Sequence, residues 1–211
     1  MKRRQRRRAL PIYPILLILL ITSVIFFAIV TSFKPDIGDC TTYFCDVKVL
    51  TLKTNINVKQ GTEKVANIRG KVIKFVTDPL TMYDNDGNQI AYGADEYHFI
   101  AQDSHMILVN NQPTVEMVGK FSIFGDKYDI YNMDGQIIAK AEFNMLNSYG
   151  TIVGSNGTLW ADYHSNFYRR DYDVRIKDEC KLDDTTILMM MASFYSDRSA
   201  DSSSNSSNSN K

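Results

Sequence analysis

Two acidic loops in this sequence carry the residue types that bind calcium. Residues 83–91 read YDNDGNQIA and residues 131–139 read YNMDGQIIA, an echo offset by 48 positions. Calcium takes about six to eight oxygen ligands. If Gly87 occupies the glycine position of an EF-hand loop, Met82 and Gly93 fall where the first and last ligands belong. The loops supply too few ligands, and the sequence predicts no calcium site.

Other metal or catalytic chemistry would need the histidines or a cysteine. His98 and His105, with Glu96 near them, could form a His/His/Glu metal site, but histidines of this kind more often flank turns on a surface. Cys180 could be a nucleophile, yet no histidine is near it in sequence, which favours packing as a small hydrophobe. The chain lacks a nucleophile elbow, a phosphate-binding glycine loop and a zincin motif. We therefore expect that the protein is not an enzyme and that it has no catalytic residue, no metal and no cofactor.

The same acidic loops are better explained as hairpin turns. An Asp-Gly pair between alternating apolar residues favours a tight turn in which both residues adopt positive φ. A looser third copy exists, because NGTLWA (156–161) parallels DGQIIA (134–139). The predicted structural turn residues are Asp86, Gly87, Asp134, Gly135, Asn156 and Gly157.

The N-terminal part of the chain predicts a membrane anchor. Residues 1–8 contain six Lys or Arg, and residues 9–33 carry no charge. Such a stretch can cross a hydrocarbon core of about 30 Å. The alternative is a cleaved signal peptide, but no A-x-A site precedes Lys34. The charge bias predicts a single-pass signal anchor in the cell membrane, with residues 1–8 cytoplasmic and the C-terminal domain extracellular.

A short linker with two cysteines follows the predicted anchor. Cys40 and Cys45 flank TTYF within residues 34–45, which we interpret as a juxtamembrane linker. Outside the cytosol the two thiols could close a small disulfide ring, and the alternative is that they stay free. A zinc site would need two further ligands at suitable spacing, and none is near.

The body of the chain, residues 46–197, has a dominant period of two. Short alternating runs such as LKTNINV and YDVRI are separated by Asn, Asp or Gly, a pattern typical of an antiparallel sheet or barrel.

Residues 183–197 differ, because DDTTILMMMASFYSD is apolar on every side of its middle turns and lacks Gly and Pro. We expect a helix here, with Asp183 or Asp184 as N-cap, surrounded by a small β-barrel. A last buried strand is the alternative. Residues 198–211, rich in Ser and Asn, predict a disordered tail.

An ordered series of segments carries a family resemblance. FSIFGDKYDIYNMDGQIIAKAEF (121–143) is followed by GTLWADY, RRDYDVRI and DDTTILMMMASFYSD. The series resembles the LURP-one-related group of the tubby C-terminal-like superfamily, in the manner of a bacterial membrane-anchored member. The resemblance covers roughly residues 46–197. It implies a mainly β fold, a closed antiparallel barrel of about twelve strands enclosing a hydrophobic C-terminal helix.

Charge and resemblance together narrow the expected function. From residue 9 onward the chain has 18 basic and 24 acidic residues, a net charge of −6 that disfavours nucleic acid. The resemblance points to lipid-binding tubby proteins and to phospholipid scramblases, but the cationic pocket of the former has no counterpart. We expect a membrane-tethered, extracytoplasmic binding or structural module whose partner is a protein, a cell-wall component or a lipid. The alternative is a scramblase-like protein that handles phospholipid.

Overall fold

The structure, a computed structural model, divides the chain into two units, Met1–Pro35 and Asp36–Lys211. The described residues are 17–18, 20–22, 38–48, 54–70, 79–96, 104–122, 125–144, 148–165 and 171–207, with the side chains of 95–96 and 197–207 excepted.

The described residues of the second unit form twelve strands and one helix. The strands are β1 (Cys40–Val47), β2 (Asn55–Gln60), β3 (Glu63–Gly70), β4 (Leu80–Tyr83), β5 (Gln89–Glu96), β6 (Ser104–Val109), β7 (Gln112–Lys120), β8 (Lys127–Tyr131), β9 (Ile137–Phe143), β10 (Tyr149–Gly154), β11 (Leu159–Ser165) and β12 (Tyr172–Lys177). The helix is α1 (Asp184–Ser207).

The strands form one closed barrel. Each strand pairs antiparallel with the next along the chain, and β12 closes the ring on β1, with Val174 opposite Tyr43. A closed barrel has no free strand edge, so its walls meet other molecules through side chains. The predicted mainly β fold, a closed antiparallel barrel of about twelve strands with a C-terminal helix, is confirmed.

Alternation along each strand separates an apolar inner face from a mostly polar outer face. In β12, Tyr172, Val174 and Ile176 are at most 3% exposed and face inward. Asp173 lies between the first two of them and faces outward, because successive side chains of a strand point to opposite sides. The period of two seen in the sequence is therefore the two faces of the barrel wall.

Helix α1 fills the inside of this wall. Every residue from Ile187 to Ala192 is at most 3% exposed, although these residues cover all sides of the helix. The helix packs against β3, β4, β5, β6, β7 and β12. Farther along, the Phe194 ring stacks on the Phe143 ring of β9 with 3.5 Å between centroids. The inner side chains and the helix together make one packed core.

The start of the helix follows the prediction, and its end does not. Asp183 is the N-cap, because its carboxylate accepts hydrogen bonds from the Thr186 amide (2.9 Å) and hydroxyl (2.7 Å). The helix ends at Ser207 rather than at residue 197, so residues 198–207 belong to it and not to a tail. No Gly or Pro lies between 184 and 207 to interrupt the helix. Residues 208–211 lie outside the described residues.

The first unit is described at only a few positions. Residues 17–18 and 20–22 are helical. Within the described part of the chain, no helix is long and apolar enough to cross a membrane. Most of the predicted anchor (9–33), the basic segment 1–8 and residues 34–37 lie outside the described residues, so the anchor stays a prediction.

Candidate functional site

The three predicted turns are hairpin turns, but of another type than expected. They join β4 to β5, β8 to β9 and β10 to β11, and Gly87, Gly135 and Gly157 have φ of 86°, 74° and 83°. Among the described non-glycine residues only Asn110 and Asn111 have positive φ. The residues before the three glycines therefore do not, and the prediction of two positive-φ residues in each turn was wrong.

Two backbone hydrogen bonds define the actual turn. In the β4–β5 hairpin the Asp84 amide donates to the Asn88 carbonyl (3.0 Å), and the Gly87 amide donates to the Asp84 carbonyl (3.2 Å). This is a three-residue loop, in which a type I turn is followed by a glycine in the left-handed region. The other two hairpins repeat both bonds at Asn132, Gly135 and Gln136 and at Gly154, Gly157 and Thr158.

In the first two turns, the residue that begins the turn makes the side-chain hydrogen bonds, whereas in the third turn Asn156, before the glycine, accepts the Thr158 backbone amide (3.1 Å). The Asp84 Oδ1 accepts the Asn88 backbone amide (2.8 Å), and the Asn132 Oδ1 accepts the Gln136 backbone amide (2.9 Å). Hydrogen bonds from the Asn88 side chain and backbone hold the pKa of Asp84 below its ordinary value. The sequence offered a signal for this pair, since Asp or Asn stands three residues before the glycine in both copies.

The Ile-Ala part of the repeated motif is explained by a bulge. Beyond each turn one residue of the second strand has no opposite partner, and the ladder resumes at a buried alanine. The unpaired residues are Ile90, Ile138 and Trp160, all packed in or against the core. The alanines that follow them are Ala91, Ala139 and Ala161. The motif is thus structural, and it builds three walls of the barrel alike.

Of the two alternatives for Cys40 and Cys45, a disulfide ring or free thiols, the structure has free thiols. Both residues lie on β1, so the barrel begins at Cys40 and not at residue 46. Five steps of strand separate their Cα atoms by about 17 Å, on opposite faces, whereas a disulfide needs less than about 7 Å. Both thiols are free, as is that of Cys180. Burial raises the pKa of the Cys45 thiol to about 12.

The described residues do not form the cluster of His98, His105 and Glu96 that the sequence suggests as a possible metal site. His105 is 1% exposed on β6, opposite Met117 and 6.2 Å from the Tyr128 ring, so it is a core residue. His98 and the side chain of Glu96 lie outside the described part. Across the described ranges, no three His, Cys, Asp or Glu side chains are grouped to hold a metal ion.

One polar cluster on the outer face of the barrel wall is a buried ion pair. Asp162 of β11 lies opposite Arg175 of β12 and is fully buried, and Arg175 is 8% exposed. The Arg175 Nε donates to Asp162 Oδ1 (2.8 Å), and its Nη2 donates to Oδ2. Burial is the largest single influence on the pKa of Arg175 and lowers it, but the hydrogen bonds and the negative charge of Asp162, with smaller contributions from other groups, together raise that pKa. The charges of Arg175 and Asp162 neutralise each other, and the two side chains hydrogen-bond to each other rather than to a ligand.

A second polar cluster, on β2 and β3, is centred on an amide. Asn67 faces outward between inward-facing Ala66 and Ile68 and is 4% exposed. Its Nδ2 lies within hydrogen-bond distance of the Asn55 Oδ1 (2.7 Å) and the Asn57 Oδ1 (3.1 Å). All three amide side chains are thereby held in place on the outer face.

The same amide orients an arginine. The Arg69 Nε donates to the Asn67 Oδ1, and the Arg69 guanidinium lies over the Tyr83 ring of β4, 5.0 Å from its centroid. Arg69 is exposed and has no carboxylate partner in the described part of the chain. We call Asn55, Asn57, Asn67, Arg69 and Tyr83 the amide–arginine cluster. It can hydrogen-bond and neutralise an anionic group. Tyr83 belongs to the repeated turn motif, but no signal in the sequence indicates that any of these five residues binds a ligand.

Comparison with known proteins gives no relative from which a role could be transferred: no family model, no curated protein and no solved structure matches the chain.

Proposed function

We propose that this protein is a membrane-tethered, extracytoplasmic binding module of the tubby-like barrel type, and that its partners bind the outer face of the barrel. The observation that carries this proposal is the filled interior. Inward side chains such as Ile56, Ile68 and Ile130 are 0% exposed in the same core that contains the apolar residues of α1. A barrel filled by its own helix leaves its surface as the place for a ligand.

The tether is supported by the sequence and by a few described residues. Leu17, Ile18, Leu20 and Ile21 are helical and 48–64% exposed, as expected for apolar side chains that meet lipid. The six basic residues before this stretch favour a cytoplasmic N-terminus.

The family assignment rests on the ordered motifs and on the architecture they implied. A twelve-stranded antiparallel barrel followed by a buried C-terminal helix is the fold expected for a tubby-like domain. The turn, the bulge and the alanine recur in three hairpins, so the motif that suggested the family is one that builds this wall.

Protease treatment of intact cells tests the tether. With an epitope after Lys211, we expect external protease to remove the epitope while a cytoplasmic control protein survives. The chain should also stay with membranes in alkaline carbonate, and a variant that begins at Asp36 should not. An epitope protected in intact cells, or a chain released by carbonate, would overturn the tether.

Site-specific crosslinking tests the binding surface. A photoreactive residue at Thr81, on the outer face beside Arg69, should capture a partner in intact membranes, and one at the buried core position Ile107 should not. Lipid flipping by the purified chain, measured by dithionite quenching in proteoliposomes, would instead favour the phospholipid-handling alternative.

A further inference from the structure

We propose that the amide–arginine cluster binds an acidic saccharide, with the Arg69 guanidinium pairing a sugar carboxylate and the neighbouring amides binding hydroxyl groups. This inference deepens the proposed function, on which it rests, by naming a ligand class and a place on the barrel wall.

The arginine is pre-organised for a planar anion. Its Nε is engaged by the Asn67 Oδ1, and the plane of its guanidinium is supported by the Tyr83 ring at 5.0 Å. Its two Nη groups have no hydrogen-bond partner among the described residues. A guanidinium held in this way loses little side-chain entropy on binding, and two Nη donors match the two oxygens of a carboxylate.

The amides supply the rest of the site. Asn55 and Asn57 turn their Oδ1 atoms towards Asn67, which leaves their Nδ2 groups, within the described part of the chain, without a partner. On the β4 side of β3, Arg69 lies opposite Thr81, and Thr81 in turn lies opposite the partly exposed Tyr92 of β5. Amide and hydroxyl groups beside an aromatic face suit a sugar ring, which presents hydroxyls at its edge and C–H groups on its face.

Charge separates this wall from the rest of the barrel. Strands β2, β3 and β4 contain three cations, Lys59, Lys64 and Arg69, and one carboxylate, Glu63, which lies beside the turn. Their net charge is +2, although the chain from residue 9 onward carries −6. Lys59 is partly neutralised by Asp46 at 3.2 Å, and Arg69 is not paired in this way. The excess of cations on these strands favours the approach of an anion.

An acidic peptide is a poorer fit than a saccharide. Extended peptides bind sheets by adding a strand to a free edge. All twelve strands here are paired on both sides in a closed ring. Recognition then depends on side chains alone, which favours a ligand rich in hydroxyl groups over one that relies on its main chain.

Calorimetry with the full-length chain in detergent tests the proposal. The probes are tetragalacturonate, its methyl ester, which lacks the charge but keeps the other hydroxyls, and tetraglutamate as the acidic peptide. We expect tetragalacturonate to bind, and the ester and the peptide each to bind at least about tenfold more weakly, because a charge-assisted bidentate contact is lost or unsupported.

Matched variants locate the site. Arg69→Gln should weaken tetragalacturonate binding at least about tenfold, and Arg69→Lys, which keeps the charge without the fork, by a smaller factor. Lys140→Gln makes the same charge change at an exposed position of β9 and should leave binding unchanged. No binding by the wild type, equal binding of tetraglutamate, or equal losses in Arg69→Gln and Lys140→Gln would overturn the saccharide site. A chain that fails these tests while still crosslinking at Thr81 keeps the binding function and loses only this ligand.

Discussion

Two arginines on the outer face of the same barrel have opposite environments. Arg175 is 8% exposed and is held by both oxygens of the fully buried Asp162. Arg69 is exposed and is held through one nitrogen by the neutral amide of Asn67. The two side chains have the same chemistry, but only the first is neutralised by its partner.

The comparison shows how a structural arginine in the barrel wall differs from one that can bind a ligand. A buried arginine paired with a carboxylate is strongly destabilising if its partner is removed, because an unpaired charge then remains in a dry place. An exposed arginine oriented by an amide keeps its charge and donors for another molecule. Burial and the charge of the partner distinguish the two cases, whereas residue type does not.

The largest loss of stability is expected at the buried Asp162–Arg175 ion pair. Asp162→Ala should lower the free energy of unfolding by about 3 kcal/mol, because Arg175 loses its partner while it stays largely buried. Urea unfolding followed by circular dichroism measures this loss. The double variant Asp162→Ala with Arg175→Met should regain most of it, since the buried charge is then gone. A loss below about 1 kcal/mol would show that Arg175 rehydrates, and the contrast with Arg69 would disappear.

A smaller loss is expected at the centre of the amide–arginine cluster. Asn67→Ala should lower the free energy of unfolding by about 1 kcal/mol, since its partners Asn55, Asn57 and Arg69 can bond to water instead. The same urea titration applies. A loss as large as that of Asp162→Ala would mean that the cluster is structural rather than poised for a ligand.

A still smaller loss of stability is expected at the exposed arginine. Arg69→Gln should lower the free energy of unfolding by less than about 1 kcal/mol, because Arg69 is exposed, has no charged partner among the described residues and donates a single hydrogen bond to the neutral Asn67 amide. Thermal unfolding of the variant beside Lys140→Gln provides the measurement and a control of equal charge. A clear loss in Arg69→Gln alone would place Arg69 with Arg175 as a structural residue.

The smallest change in stability is expected in the hairpins. Asp84 and Asn132 accept the equivalent backbone hydrogen bond, Asp84 with a charged side chain and Asn132 with a neutral one. The pKa of Asp84 is lowered in the folded state, so its contribution to stability is present above the ordinary value of 3.8 and is lost as the pH falls below that value. Asp84→Asn, which lacks this charge at every pH, should therefore melt slightly below the wild type at pH 6 and lose less melting temperature between pH 6 and pH 3. Identical acid responses of both proteins would show that the charge of Asp84 has no role.

Much of the fold was readable from local patterns, and the errors have physical reasons. Alternation at Tyr172, Val174 and Ile176 predicts a strand without knowledge of its neighbours. The turn type failed because Asp-Gly fits both a two-residue turn and a three-residue loop, and the hydrogen bonds of Asp84 decide between them. The Cys40–Cys45 disulfide depends on a flexible linker at residues 34–45, whereas TTYFCDV alternates and forms most of strand β1, which holds the two thiols apart.

Local patterns in the sequence are enough to predict the elements of this protein: the period of two, the glycines with positive φ, the apolar segment that became α1 and the charge difference between its regions. These are local properties, set by which backbone conformations and which faces each residue tolerates. Contacts between polar residues, in contrast, follow from the folded structure. Asn55 and Asn57 reach Asn67 through the register of β2 and β3, and Asp162 reaches Arg175 through that of β11 and β12. Register depends on the connecting turn and on which face of each strand is buried, and so only the folded barrel could separate the arginine that is neutralised from the arginine that stays available.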